Sequence, residues 1–225
     1  MQAGTMMGNL TGVIGISAAG AEDAALVAAL KAGSEEAFGL LIAQYSQPVF
    51  SLVARSLQDP ADAADITQEV FIKVFRSIRS FNGEASLRTW LYRIALHEAS
   101  NQRRWWSRHK KQELTIDAPL DREDADTGEE FCLSATLADG RGSPYDLTSQ
   151  AQIKERVEGA LRQLPDAFRM AVVLREMEGF SYDEISEVLE VPVGTVKSRL
   201  KRGRAALKHI LVAEGLEACI SGGTR

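Results

Sequence analysis

The chain has 225 residues, of which 45% are hydrophobic and 25% charged, with a formal net charge of −5. This composition is ordinary for a globular protein, and the length allows one large domain or two small ones. No apolar run approaches the roughly 18 residues that a membrane span requires, so no such span is expected.

The beginning of the chain and its two cysteines point to the cytoplasm. Residues 1–22 lack a positively charged leader, so we interpret them as a disordered N-terminal extension and not as a signal peptide. Cys132 and Cys219 are not placed as a structural bridge, which fits a reducing compartment. We therefore expect a cytoplasmic protein without membrane insertion.

Positive charge is concentrated in two segments that flank an acidic one. Residues 71–111 carry ten lysines and arginines against two acids, and residues 191–208 carry six and no acid. Between them, residues 112–150 hold ten acids and only two arginines. Two basic segments around an acidic one indicate a polyanionic partner, despite the acidic total.

Helical periodicity dominates the first half of the chain, and strand signals are nearly absent. A short helix over residues 21–32 is predicted to end near Gly33, and Ser34 is placed to cap a second helix. Asp59 and Pro60 are suited to begin a third helix, and Ser86 a long fourth one. The predicted apolar stripe of the second helix is Phe38, Leu41, Ile42, Tyr45, Val49, Leu52 and Val53; that of the third is Ile66, Val70, Val74 and Ile78.

The middle of the chain loses this periodicity. Residues 112–149 are acidic and rich in turn formers, which predicts a flexible linker. Helical periodicity returns at about residue 150. The predicted fold class is therefore all-α, with one helical domain at 23–111, a second at 150–212 and a flexible tail at 213–225.

Residues 181–204, SYDEISEVLEVPVGTVKSRLKRGR, predict a helix-turn-helix within the second domain. Ser181 to Glu184 is a capping-box sequence, Pro192 and Gly194 form the turn, and a basic helix follows. Its apolar residues fall on one face, which leaves a polar and basic face for the major groove of DNA. The alternative interpretation is a solvated basic helix that closes a small bundle.

This segment, extended to GFSYDEISEVLEVPVGTVKSRLKRGRAAL, resembles region 4 of the extracytoplasmic-function (ECF) sigma factors of bacterial RNA polymerase. The resemblance implies that the second helix reads the minus-35 promoter element in duplex DNA. Glu190 stands where many members have glycine. The residues that the resemblance assigns to this contact are Thr195, Lys197, Ser198, Arg199, Lys201, Arg202 and Arg204.

The third helix carries a narrow acidic face opposite its apolar stripe. Asp62, Asp65 and Glu69 recur at helical spacing, as expected for a surface that binds a basic partner helix. A merely solvated face is the alternative. The segment from Asp62 to Phe75 resembles region 2.2 of the same family, which implies that these acids, with Gln68, bind core polymerase.

Residues 81–95 resemble region 2.3 and the start of region 2.4, which open the minus-10 element and hold an extruded base of the non-template strand. Arginine side chains can bind phosphates, and a short polar loop offers polar groups and backbone to an unstacked base. Trp90 is predicted to pack in the core, whereas Trp105 and Trp106 are left open between DNA and core. The predicted minus-10 residues are Asn82, Gly83, Ser86, Arg88, Arg93, His97, Asn101, Arg103 and Arg104.

The resemblance as a whole implies a transcription initiation subunit without an active site of its own. Its partners would be core polymerase, through the β′ clamp and the β flap, promoter DNA as duplex and as melted non-template strand, and an anti-sigma factor. The sequence offers no metal-ligand spacing, nucleotide fingerprint or catalytic triad, so no cofactor or metal is expected. The alternative is a stand-alone helix-turn-helix regulator that works without core polymerase.

Overall fold

The structure, a computed structural model, describes residues 23–57, 60–109 and 144–216, with side chains for 23–57, 61–102 and 152–216. The predicted N-terminal extension, nearly all of the linker, both cysteines and most of the tail lie outside these residues. Every regular element in the described ranges is helical, so the predicted all-α class is confirmed.

The first group of helices forms the N-terminal domain. Its elements are α1 (23–32), α2 (Glu35–Ser56), a 3-10 turn (Pro60–Asp62), α3 (Ala63–Ser77), a second 3-10 turn (Ile78–Ser80) and α4 (Leu87–His109). The second group forms the C-terminal domain. Its elements are α5 (Pro144–Gln163), α6 (Asp166–Val172), a π-helical turn (Val173–Met177), α7 (Tyr182–Leu189) and α8 (Val193–Ala213).

Hydroxyl caps set the beginnings of the predicted helices. The Ala37 amide donates to Ser34 Oγ at 3.2 Å, and the Thr89 amide donates to Ser86 Oγ at 3.0 Å. Both predicted caps are therefore confirmed. The boundaries differ in two places, because α3 begins only after the 3-10 turn at Pro60–Asp62, and α5 begins at Pro144, inside the predicted linker.

Three helices enclose the core of the N-terminal domain. All four residues of the predicted third-helix stripe are buried, with Ile78 in the 3-10 turn that follows α3. Helix α2 buries Leu41, Tyr45, Val49, Leu52 and Val53 against α3 and α4. The prediction for Ile42 is wrong, since its side chain is 45% exposed. Val49 and Val53 share its face of α2 and are buried, so the exposure reflects how far along α2 the neighbouring helices extend and not the angular position of Ile42.

Helix α2 alone, in the described part of the chain, is long and apolar enough to cross a membrane by length and composition. Its inward residues are instead covered by α3 and α4. The same apolarity is therefore used to form a protein core.

The C-terminal domain depends on a close approach of α6 and α8. A Cβ atom built at Gly203 would lie 2.7 Å from Val172 Cγ2 and 3.2 Å from the carbonyl oxygen of Phe168. Glycine lets the two helices meet closely enough to bury Leu200 and Leu207 on either side of it. This contact supports the helix from which the basic face projects.

The two domains are packed on each other. Tyr92 of α4 and Phe180, just before α7, bring their ring centroids to 4.9 Å, and both side chains are buried. Helix α4 also packs against α7. The sequence predicted two domains on a tether, and it gave no sign of this shared boundary.

We expect Gly203→Leu to destabilise the protein by about 1–3 kcal/mol or more, because the side chain would meet Val172 and backbone. The control is Gly159→Leu in α5, where a Cβ atom meets nothing within 4 Å. That change should be neutral or stabilise by up to about 1 kcal/mol, since leucine is the better helix former. Urea unfolding of the full chain measures both, and equal midpoints would contradict the close approach.

Candidate nucleic-acid and polymerase interfaces

The turn between α7 and α8 has the geometry of a helix-turn-helix. The predicted capping box is present, since the Glu184 amide donates to Ser181 Oγ at 3.2 Å and the Ser181 amide donates to Glu184 Oε2 at 2.8 Å. Helix α7 ends at Glu190, which adopts the left-handed conformation with φ 53°. Many members of the resembled family have glycine at this position. Glycine suits the position because it adopts the left-handed conformation without steric cost.

Helix α8 presents a polar and basic row to solvent. Val196 and Leu200 are buried, as predicted, and anchor the opposite face. The side chains of the predicted minus-35 residues Lys197, Ser198, Lys201 and Arg202 are exposed, and those of Thr195 and Arg199 are half-buried. A helix with one buried apolar face and one exposed basic face can enter a major groove.

Arg204 is placed differently from that row. Its Nε and Nη2 donate to Glu176 Oε1 at 2.9 and 2.6 Å, on the neighbouring π-helical turn. Burial opposes the charge of Arg204, but the hydrogen bonds and charge of Glu176 outweigh it, so the pKa of Arg204 is raised. The side chain fixes α8 to the body of the domain, and its predicted DNA contact stays a prediction.

The acidic face of α3 is open to solvent. Asp65, Gln68 and Glu69 are exposed, and Asp62 at the start of the helix is half-buried. The face continues into Ile72 and Phe75, whose side chains are 40% and 61% exposed.

These two apolar residues were not assigned to a site from the sequence. The Phe75 ring packs against the Phe38 ring in a tilted arrangement, with 4.8 Å between ring centroids, and this contact holds it at the surface. An apolar patch beside an acidic row is the composition of a protein-binding surface with a polar rim. The signal was available in the sequence, since Ile72 lies three residues after Glu69 on the same helical face.

The loop before α4 offers polar groups and backbone to solvent. Asn82 and Gly83 are exposed, Gly83 has φ 79°, and Asn82 Oδ1 accepts from the Glu84 amide at 3.2 Å. Trp90 packs on Phe81 with ring centroids 5.1 Å apart, so its predicted place in the core is confirmed. The aromatic side chains beside the loop are therefore packed on each other, and Trp90 does not present a free ring for base stacking.

Three of the predicted minus-10 residues face the C-terminal domain. Arg88 Nη2 donates to the carbonyl oxygen of Glu178 at 2.6 Å and lies 3.3 Å from its Oε2. Arg93 and His97 line a cleft of about 380 Å³ between the domains. The positive groups expected to meet melted DNA therefore lie at the domain boundary.

The remaining predicted minus-10 residues have other positions. Asn101 is exposed on α4, and the Ser86 hydroxyl caps that helix. The side chains of Arg103, Arg104, Trp105 and Trp106 lie outside the described residues. Within the described ranges no group of three or more His, Cys, Asp or Glu side chains is placed to hold a metal ion.

Tyr92 is buried at the domain boundary. Its hydroxyl donates to Glu178 Oε2 at 2.6 Å. Burial, and then the hydrogen bond and charge of Glu178, raise the pKa of the Tyr92 phenol well above its ordinary value. The phenol therefore stays a hydrogen-bond donor throughout the physiological pH range.

Comparison with known families decides between a sigma factor and a stand-alone regulator. The family model described as "Sigma-70 region 2" matches residues 41–109, and that described as "Sigma-70, region 4" matches residues 154–207. A region 2 match is unexpected for a regulator that works alone. This chain is an RNA polymerase sigma factor.

Curated relatives place the sigma factor in the extracytoplasmic-function group. It is 35% identical over 190 residues to RNA polymerase sigma-H factor of Pseudomonas aeruginosa, covering 84% of this chain and 94% of that protein. It is 36% identical over 187 residues to ECF RNA polymerase sigma-E factor of Escherichia coli K12, covering 83% and 93%. The predicted family and function are therefore confirmed, and the regulator alternative is set aside.

Solved structures show the same fold. CnrH, solved in complex with the cytosolic domain of CnrY, matches with a TM-score of 0.57 and 23% identity, covering 85% of this chain and 98% of that one. The sigma factor RpoE of Bartonella quintana, solved with the anti-sigma factor NepR, matches with a TM-score of 0.56 and 20% identity, covering 79% and 98%. At this identity the likeness concerns the fold alone.

We expect Glu190→Gly to stabilise the sigma factor by up to about 1 kcal/mol. Glycine removes a left-handed strain of about 1–2 kcal/mol and adds roughly 0.5–1 kcal/mol of unfolded-state entropy, so the strain is the larger effect. Glu187→Gly, at an exposed position in the right-handed middle of α7, removes the same charge and should destabilise by about 0.5–1 kcal/mol. Equal losses of urea midpoint in both variants would refute the argument.

Proposed function

We propose that the sigma factor divides promoter recognition between its domains: the row on α8 reads the minus-35 duplex, and the loop before α4 with the arginines of α4 holds the melted minus-10 strand. The observation that carries this proposal is the exposed basic row of α8 on a capped helix-turn-helix whose other face is buried. Arginine and lysine there can donate to guanine edges, and Ser198 to a phosphate.

The core polymerase contact belongs to the outer face of α3. Asp65 and Glu69 supply negative charge for a basic partner helix, Gln68 supplies a neutral hydrogen-bonding amide, and Ile72 and Phe75 supply apolar area that is desolvated on binding. The β′ clamp is the proposed partner of this face, and the β flap that of the C-terminal domain. Asp65 and Glu69 are exposed, and Phe75, although it packs on Phe38, is still 61% exposed.

We propose further properties that membership in the family supports. The sigma factor acts in the cytoplasm, where core polymerase is, and directs initiation without an active site of its own. We also propose an anti-sigma factor as a regulatory partner; the structurally similar RpoE of Bartonella quintana was solved with the anti-sigma factor NepR, and CnrH with the cytosolic domain of CnrY. An extracytoplasmic or stress signal would release it.

The minus-35 assignment predicts that Arg199→Ala with Arg202→Ala weakens promoter binding by the holoenzyme. A base-reading arginine should cost about 1–3 kcal/mol and relax specificity at one position, whereas a phosphate contact should cost evenly across sequences. Lys208→Ala, further along α8, is the control for the loss of positive charge. Normal transcription by the double variant from a mapped promoter would refute the assignment.

The core-binding assignment predicts that Asp65→Lys with Glu69→Lys weakens binding to core polymerase by about tenfold or more, or about 1.4 kcal/mol. Binding of the full chain to minus-35 duplex DNA should persist. The control is Glu155→Lys with Glu187→Lys, which adds the same charge at exposed positions of α5 and α7. Core affinity equal to that of the control would show that the face is only solvated.

A further inference from the structure

The outer face of α3 carries seven side chains that recur at heptad spacing, from the start of the helix into the 3-10 turn that follows it. Residues with this spacing fall on one side of a helix of 3.6 residues per turn, opposite the buried stripe of α3. We call these seven residues the outer α3 row. All of them are exposed, and they are Asp65, Gln68, Glu69, Ile72, Phe75, Arg76 and Arg79.

The charged residues of the outer α3 row are separated by sign. Acids precede its centre at Ile72 and bases follow it; the four residues are Asp65, Glu69, Arg76 and Arg79. None of the four has a hydrogen bond or ion pair with another residue that the structure describes. Lys73, beside the row, is in contrast paired with Glu98 of α4. The charges inside the row are therefore available to a partner.

Apolar side chains form the middle of this surface. Ile72 and Phe75 lie between the acids and the bases, and both are exposed. Phe75 packs against Phe38 of α2, and Ile42, which is also exposed, lies one helical turn further along α2. An apolar centre with charged ends has the composition of a protein-binding surface with a polar rim.

We propose that in the free sigma factor the outer α3 row pairs, in antiparallel direction, with the same row of a second copy of this chain. A two-fold axis at Ile72 brings together positions that lie equally far before and after it. Asp65 then faces the partner's Arg79. Glu69 lies beside the partner's Arg76 on one edge of the interface. Symmetry repeats both ion pairs, so all four charges of each copy are matched.

The order of the charges selects this partner and this direction. A parallel second copy would place acids against acids and bases against bases, which is unfavourable. A uniformly basic helix would match Asp65 and Glu69 but would repel Arg76 and Arg79. An antiparallel second copy uses the whole row and requires no other chain.

This dimer is expected to be weak. Exposed ion pairs contribute little each, because water and salt screen them. The apolar centre consists of three exposed side chains in each copy, so the interface is at the small end of specific interfaces. Dimers therefore form only at a high concentration of the free sigma factor, and added salt should weaken them.

Dimerisation competes with the contact proposed above for core polymerase, because both use Asp65, Glu69 and the apolar centre. A dimer therefore has to dissociate before either chain binds core polymerase, and chains in excess of core polymerase are held in reserve as dimers. This consequence rests on the proposed function, whereas the pairing of the two rows does not.

Sedimentation equilibrium of the full chain at low salt, without polymerase or DNA, measures the pairing directly. We expect the native chain to show a monomer–dimer equilibrium at concentrations up to roughly 100 µM. Arg76→Glu with Arg79→Glu makes both ends of the row acidic and should weaken dimerisation by about tenfold or more. The control is Lys154→Glu with Arg156→Glu, which makes the same change of net charge at exposed positions of α5 and should leave most of the dimerisation intact.

An exchange of charges within the row provides the decisive variant. Glu69→Arg with Arg76→Glu leaves the net charge unchanged and, in an antiparallel dimer, again places opposite charges side by side. Its dimerisation should stay within about threefold of that of the native chain. Arg76→Glu alone should weaken dimerisation, because two acids would then meet. Circular dichroism checks that each variant is folded.

Three outcomes would overturn the proposal. The first is a native chain that remains monomeric at roughly 100 µM. The second is Arg76→Glu with Arg79→Glu that dimerises as well as its control, because the contact would then lie on another surface. The third is Glu69→Arg with Arg76→Glu that dimerises no better than Arg76→Glu alone. Failure of the core-binding assignment shows separately, as an unchanged core affinity of Asp65→Lys with Glu69→Lys.

Discussion

Helix α4 is buried along two faces at once, and both domains depend on it. Leu91 and Ala95 point into the N-terminal core, while Tyr92 meets Phe180 of the C-terminal domain. A helix packed on two sides is fixed in rotation, because turning it to improve one face would expose the other. This constraint fixes the directions in which the basic and polar side chains of α4 point.

The boundary combines apolar packing of α4 on the C-terminal domain with ion pairs of intermediate exposure. The side chains of Arg55 and Glu158 are 14% and 22% exposed, and those of Arg88 and Glu178 are 37% and 12% exposed. Such pairs are screened by water and contribute little net stability, although they favour one arrangement over others. The leucine-rich core of each domain, by contrast, is held by apolar packing.

The two proposed DNA-binding surfaces differ in how they are supported. The row on α8 rests on Gly203, which allows α6 to approach, and on the Arg204–Glu176 pair, and it is exposed while the domains are packed together. The proposed minus-10 surface is shared between a solvent loop and side chains at the domain boundary. The first surface is therefore a preformed helix face, whereas part of the second is engaged in contacts between the domains.

What the sequence determined by itself was local. Hydroxyl caps at Ser34, Ser86 and Ser181, and the apolar stripe of α3, depend on neighbours within one helical turn or on one helix face, so residue spacing is enough to predict them. The helix-turn-helix and the acidic face of α3 follow from the same periodicity. The exposure of Ile42 did not, since it depends on how far along α2 the neighbouring helices extend.

Only the tertiary structure decided which partner each charged side chain has. Arg88 and Glu178 are far apart in the chain, and Arg204 lies within a run of basic residues that otherwise face solvent. Sequence spacing gave Arg204 the same role as Arg202, but helix rotation placed it against Glu176. An ion pair between distant segments depends on the docking of whole helices, and that docking results from the combined packing of many side chains, which no local pattern encodes.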